Sequence, residues 1–417
     1  MKRTAISFLL ASLLIVANVG QVKAADSGMP KIQGKAGITM DIETGEIIYN
    51  NNIDEKEYPA STTKLMTALL FAENKSKSDE IKYTESAKKQ PEYSLDKNLH
   101  KMDIGESMSA SDTMDALLLF SANDVAYMIG DNVSGNTQKF VDLMNDRAKK
   151  LGLKNTNFVS PNGLHDPNHY TTSYDLSVIA REAFKNDWVR ETMAKKNSKI
   201  TTSKGAILLL ENRNKLVGVD GCVGGKTGYT EPAGRALVAF YERDGRKLVG
   251  VVMKSVYDSQ DSAVFDDMKK IIDWSYNEKQ VQLHKNGDTV KTETLTYKPF
   301  RFFGPEKKIE VPFVLHEDIS YYNNDINKKE LKEEYNIDKI NVWNLSSDKS
   351  AGTINIKERE ANRSFKVYST ISTKDIVKQN LALYIGLGLA VIIVILGVLG
   401  LILKIKNTRR RSSRTYY

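Results

Sequence analysis

From Ser61 to Glu73 the chain contains neither glycine nor proline, and its apolar residues fall on nearly every face of the helix this run implies. Pro59 cannot continue that helix backwards but suits its approach. A helix apolar on all sides is a core element, so Ser61 and Lys64 are expected at its mouth, one turn apart, with Cβ atoms about 5–6 Å from each other. Before it, residues 36–40 and 46–49 flank Glu43-Thr44-Gly45 and read as a hairpin. After it, residues 84–111 are polar and irregular, and Ser109 or Ser111 is placed to cap a helix over 114–120. Helical spacing returns at 123–133, 140–151 and 173–186, interrupted by a loop at 158–172 that holds Pro161, Asn162-Gly163 and Pro167. Residues 207–210, 217–219 and 223–229 read as short strands. Residues 233–242 and 246–256, joined by Asp244-Gly245, make the clearest hairpin, and a helix over 261–276 follows.

Beyond Glu278 the texture becomes short alternating segments, at 280–283, 290–297, 308–314, 340–345, 353–357 and 365–369, all strand-like. Residues 280–372 are therefore expected to form a small β-rich domain, with 373–380 a polar linker. Residues 381–403 carry no charge, and at about 1.5 Å per residue they extend about 34 Å, enough for a hydrocarbon core of about 30 Å. The basic residues from Lys404 to Arg414 then predict a cytoplasmic tail, residues 404–417, and a membrane-spanning helix that enters from outside. At the other end, Lys2 and Arg3 precede an apolar run and Val22-Lys23-Ala24, the pattern of a secretory signal peptide over residues 1–24. Residues 25–279 remain as the main exported domain.

The net charge of +8 changes little. Three basic residues lie in 1–24 and six in 404–417, with no acid in either, so the part between stands near −1. Basicity here belongs to membrane targeting and gives no reason to expect a nucleic-acid partner. The single cysteine, Cys222, excludes an internal disulfide and, four residues before Lys226 in an apolar run, reads as a packed small residue.

A lone Ser-x-x-Lys occurs by chance. Here Ser61-x-x-Lys64 is followed in order by Ser121-Ala122-Asn123 and by Lys226-Thr227-Gly228. Three such motifs in that order resemble the penicillin-interacting serine enzymes, DD-peptidases and serine β-lactamases. The stretches 158–166 and 169–172, Asp175-Leu176, and Gly228-Tyr229-Thr230 with Ala233-Gly234 resemble D-alanyl-D-alanine carboxypeptidases in particular. Best-known members have glycine where Ala122 stands, but only the flanking Ser and Asn side chains need to face a pocket. The resemblance covers about residues 30–276. It implies an α/β (α+β) DD-peptidase/β-lactamase-like domain, an antiparallel sheet flanked by helices, with a C-terminal β-rich domain as spacer or docking surface.

It also implies roles. Ser61 would be the nucleophile, Lys64 its base, and Ser121 the relay to the leaving amine, with Asn123, Lys226, Thr227, Gly228 and Tyr229 binding substrate. The backbone N–H groups of Ser61 and Tyr229 would form the oxyanion hole. Lysine ordinarily titrates near 10.4, so Lys64 needs a downward shift of about 3 units, worth about 4 kcal/mol, from burial and from the charge of Lys226. The implied substrate is the D-Ala-D-Ala end of a peptidoglycan stem pentapeptide, with β-lactams as acylating inhibitors and neither metal nor cofactor. His165, Asp166 and His169 lack a third histidine for a metal site. A β-lactamase, a DD-transpeptidase and a non-catalytic β-lactam sensor share parts of this pattern. Glu182 and Asn186 match the spacing of a β-lactamase deacylation pair, but periodicity turns Glu182 about 140° from the apolar stripe of its helix, toward solvent. The sequence sets no oligomeric state.

Overall fold

The computed structural model describes residues 28–412, so the expected signal peptide and the last five residues of the basic tail lie outside the described residues. Two compact units divide the chain, one reaching residue 278 apart from 44–46, the other made of 44–46 and the residues from 279 onward.

The first unit is built on a five-stranded sheet of β1 (Ala36–Asp41), β2 (Ile47–Asn51), β3 (Cys222–Thr230), β4 (Gly234–Arg243) and β5 (Arg246–Ser255), in spatial order β2-β1-β5-β4-β3. Every neighbouring pair is antiparallel. The runs Ala236–Tyr241 and Leu248–Met253 are buried on both faces of the sheet, which is why they read as unbroken apolar stretches and not as an alternation. Four helices position the site: α1 (Lys64–Asn74), α2 (Asn123–Ser134), α3 (Ser173–Lys185) and α4 (Ala263–Asn277). Met40, Phe240 and Val249 share a face through their register, and α3 covers it, with Phe184 stacked on Phe240 at 4.7 Å. Gly250 points the other way. A Cβ there would come 2.4 Å from Met268 Sδ, so the glycine admits α4 close to the opposite face.

The second unit holds another five-stranded antiparallel sheet, β6 (Thr289–Tyr297), β7 (Lys307–Leu315), β8 (Lys332–Ile337), β9 (Ser350–Glu358) and β10 (Ala361–Ser369), ordered β6-β7-β10-β9-β8. Here burial does alternate along the strands, and Val311, Phe313, Leu315, Ile354, Ile356 and Val367 make one core. Toward its C-terminal end the chain adds α5 (Thr373–Gln379) and α6 (Leu381–Ser412). Residues 381–409 of α6 are long and apolar enough to cross a membrane.

Several elements differ from expectation, each for a local reason. Residues 60–63 form a 3-10 turn before α1, because both the N–H and the hydroxyl of Thr62 bond to Pro59 O. Residues 116–120 form a π-helix that ends at Ser121. Residues 217–219 are consecutive turns, with Gly218, Asp220 and Gly221 at positive φ, and not a strand. Val342–Asn344 is a 3-10 turn capped by Asn341 where a strand was expected. The stretch 373–380 is not an open linker: Ser372 and Asp375 form a capping box that starts α5, and Ile376 is buried in the core of the second unit. Residues 325–330 are an unexpected helix, and 319–321 and β8 unexpected strands; β8 in particular carries only Tyr335 and Ile337 as large apolar residues.

Candidate active site

Ser61 stands near the start of a strained turn. Ala60 before it adopts φ +48°, a left-handed conformation unfavourable to alanine, and the turn leaves Ser61 half-buried while Lys64 is fully buried. What holds the turn comes from far along the chain. Gly163, at φ +79°, lies so close that a Cβ on it would fall 2.0 Å from Ala60 O. His169 Nδ1 accepts from Val159 N–H at 3.1 Å, which leaves the proton on Nε2 to be donated to Thr63 Oγ1 at 2.9 Å. Thr67 Oγ1 donates to Pro161 O at 2.7 Å. The 158–169 loop is thereby fastened to the turn and first helical residues that carry Ser61 and Lys64.

Lys64 Nζ lies 2.9 Å from Ser61 Oγ, 3.0 Å from Asn123 Oδ1 and 2.9 Å from Asn162 O. Two of these partners are carbonyl oxygens that only accept. Asn123 is held in that orientation because its Nδ2 donates to Glu92 O at 2.9 Å. A neutral amine has two N–H bonds and one lone pair, so with both hydrogens given to the carbonyls the lone pair is left for the Ser61 hydroxyl proton. Burial, then the positive charge of Arg213, lowers Lys64 to about 7, against a smaller opposing pull from Asp124. About half the lysine is then neutral at neutral pH.

Ser121 and Lys226 form the second half. Ser121 ends the π-helix at φ +71°, again left-handed, and Ala122 N–H donates to Ala116 O across that wide turn. Ser121 and Asn123 are thus both turned into the interior, 5% and 4% exposed. Lys226, on β3, is 1% exposed, and its Nζ donates to Ser121 Oγ at 2.9 Å and Thr227 O at 2.8 Å. Burial first, then Lys64, Arg213 and Arg235, drives Lys226 well below the usual lysine range. An arriving carboxylate would relieve that repulsion. Thr227 is also buried, Tyr229 stands 41% exposed at the rim, and β3 is an edge strand among the described residues. Gly228 serves close approach: a Cβ there would come 3.0 Å from Pro59 O and 3.1 Å from the backbone nitrogens of Ser61 and Thr62. The glycine therefore brings β3 against the turn of Ser61.

The eight residues singled out from sequence thus lie on three stretches in contact with one another, the 61–64 turn, the 121–123 turn and β3, but some of what supports them was not singled out. Arg213 is a further cation that weighs on Lys64, as it does on Lys226. It is half-buried, with its guanidinium over the rings of Tyr93 at 4.9 Å and Phe120 at 4.8 Å, and no motif marks it. Asp124 is buried and accepts from the N–H groups of Leu95 and Asp96 and from Tyr83 Oη, each at 3.0 Å, which pins the 94–96 turn to α2. Its place directly after Ser-x-Asn was the available signal. Glu182 pairs with Lys185 and, at 3.9 Å, with Arg147 on the outer side of α3. Cys222 is 2% exposed, its sulfur 3.5 Å from Gly224 O and 3.9 Å from Asn214 Nδ2.

Two outcomes follow. Arg213→Gln removes a like charge, so Lys64 titrates higher and the acid limb of the acylation rate moves to higher pH. The rate with labelled penicillin should fall about threefold at about pH 6 and converge with wild type on the alkaline plateau. His169, 1% exposed, is pushed by burial from 6.5 to about 4. The unfolded chain takes up that proton first, so stability is lost as pH falls from 6.5 toward 4, by about 3 kcal/mol in all. Denaturation midpoints at neutral and acid pH should drop less in His169→Gln than in wild type.

The family model for D-alanyl-D-alanine carboxypeptidases, peptidase family S11, matches residues 22–256, and the chain belongs to that family. Similar curated proteins include the D-alanyl-D-alanine carboxypeptidases DacF of Bacillus subtilis, 30% identical over 62% of this chain and 66% of its own length, and DacC of Escherichia coli, 31% identical over 59% and 62%. The chain spans less than two thirds of the length of these relatives. Among solved structures, penicillin-binding protein 5 from Haemophilus influenzae superposes with a TM-score of 0.58 at 25% identity, covering 82% of this chain and 98% of that one. The Streptomyces K15 DD-transpeptidase gives 0.54 at 28% identity, covering 60% and 99%.

Proposed function

We propose that the protein is a serine-type D-Ala-D-Ala carboxypeptidase, anchored by α6 in the cell membrane with its catalytic unit on the extracytoplasmic face. The observation that carries this is the buried amine of Lys64, whose two carbonyl partners leave its lone pair to Ser61. A stem peptide would lie along the open edge of β3 as an added strand, its terminal carboxylate toward Lys226 and the Thr227 hydroxyl. Asn123 would hold the substrate amide. Ser61 Oγ attacks the carbonyl carbon of the penultimate D-alanine while Lys64 Nζ takes the hydroxyl proton, and the carbonyl oxygen draws charge toward the N–H groups of Ser61 and Tyr229. The C–N bond then breaks. The departing D-alanine amine receives a proton through Ser121, and water attacks the Ser61 ester. A β-lactam forms the same ester, but its severed amide stays attached and no leaving group departs.

The test is D-alanine release from a stem pentapeptide by the purified protein, together with the lifetime of a labelled penicillin adduct. Release of D-alanine with a long-lived adduct supports a carboxypeptidase; rapid penicillin turnover without release indicates a β-lactamase, and an adduct with no peptide turnover a sensor. The likeness to the K15 DD-transpeptidase supports a second reading, transfer of the same acyl group to an amine. Adding an acceptor amine to the assay separates the two.

A further inference from the structure

The loop between β6 and β7, residues 298–306, exposes two phenylalanines, Phe302 at 87% and Phe303 at 60%. Its place is tied to the first turn of α6. Tyr384 Oη donates to Pro299 O at 2.7 Å, and the Phe300 ring packs edge-on against Tyr384 at 5.4 Å while stacking on Phe303 at 4.7 Å. Asn380, just before α6, donates to Tyr297 Oη at 2.9 Å and accepts from Lys307 Nζ at 2.7 Å. The charge-free stretch of α6 starts at residue 381 and is about as long as a hydrocarbon core is thick, so Tyr384 falls at the boundary between headgroups and acyl chains. Phe300, against Tyr384, and Phe303, stacked on Phe300, sit beside that boundary, with Arg301 and Phe302 between them in the chain. Beside them is a cleft of about 650 Å³ lined by Lys298, Arg301, Lys339, Glu306 and Trp343, with the Arg301 guanidinium 5.7 Å from the Trp343 ring. Three cations against one carboxylate at that height fit the phosphates of anionic lipids.

We propose that this loop is a second membrane contact, in which Phe302 and Phe303 enter the interface beside α6 and Lys298, Arg301 and Lys339 face anionic lipid headgroups. The inference rests on α6 being a membrane span. A loop fastened to the root of a spanning helix by one hydrogen bond and one ring contact, with the strand ends on either side of it bonded to Asn380, has little freedom to avoid the bilayer surface, and ring faces placed there are shielded from water.

The experiment uses the full chain in vesicles of equal parts phosphatidylcholine and phosphatidylglycerol, with a fluorophore on Phe302→Cys, Ile393→Cys or Lys285→Cys; native Cys222 is 2% exposed and does not compete for label. Residue 393 lies near the middle of α6, and Lys285 lies in the turn at the opposite end of β6. Lipids bearing a nitroxide near the headgroup should quench the label at 302 several-fold more than at 285, and a deep nitroxide should quench 393 most. In phosphatidylcholine alone the quenching at 302 should fall at least twofold. Quenching at 393 with water-like behaviour at 302 overturns the loop contact and leaves the anchor standing. Insertion at 302 that ignores the anionic lipid overturns the headgroup assignment, and absence of quenching at 393 overturns the anchor and the loop contact with it.

Discussion

Lys64→Met is expected to lower the rate of Ser61 acylation by labelled penicillin about 10²- to 10⁴-fold, the range that a positioned general base supplies. Methionine keeps the apolar stem of a fully buried side chain but removes the lone pair. The wild-type rate should rise with pH and level off above the Lys64 value of about 7, because only the neutral amine accepts the Ser61 proton. Below that point the rate should drop tenfold per pH unit. The variant should show no such limb, and the absence of the limb marks loss of a base more specifically than a low rate does. Denaturation midpoints measured beside the kinetics separate this from collapse of the site. A rate in Lys64→Met within a few-fold of wild type would mean that Ser61 is activated by another group.

Gly163→Ala should be nearly as damaging, although residue 163 bears no functional side chain. The new Cβ would lie 2.0 Å from Ala60 O and 2.6 Å from Thr63 Oγ1, and alanine would also have to adopt φ +79°. Strain and overpacking together amount to about 3 kcal/mol. The chain can relieve this only by shifting the 60–63 turn or the 160–164 loop, and each carries part of the Ser61–Lys64–Asn162 geometry. We expect acylation to fall about 100-fold and the thermal midpoint to drop by several degrees. Gly152→Ala is the control, since it also carries positive φ but has nothing within 4 Å of its Cβ position. It should lose some stability and keep its acylation rate.

The contrast between these two glycines shows where legibility ends. Asn162-Gly163 is readable as a turn, but what Gly163 touches lies about a hundred residues away and leaves no local trace. The same holds for Arg213, which acts on Lys64 through space and sits in no motif. Ser-x-x-Lys was readable because helical spacing alone puts an amine beside a hydroxyl, even though Ser61 stands in a 3-10 turn and only Lys64 in the α-helix proper. The hairpin of β4 and β5 was readable from Asp244-Gly245 between two apolar runs. The π-helix before Ser121 was not, since residues 116–120 have the composition of any buried helix and only the register of backbone bonds distinguishes it. In the second unit β8 was missed because Lys332, Glu333, Glu334 and Asn336 leave only Tyr335 and Ile337 to pack on the core, and α5 because a capping box at Ser372 and Asp375 looks like polar linker until Ile376 finds its core.

The most direct measurement is to quench the purified protein with acid during turnover of a stem pentapeptide and map the trapped ester by mass. The account predicts an adduct equal to the substrate less one alanine, on the peptide that contains Ser61, absent from Ser61→Ala and accompanied by loss of D-alanine release in that variant. An ester on any other residue, or D-alanine release undiminished in Ser61→Ala, would contradict it.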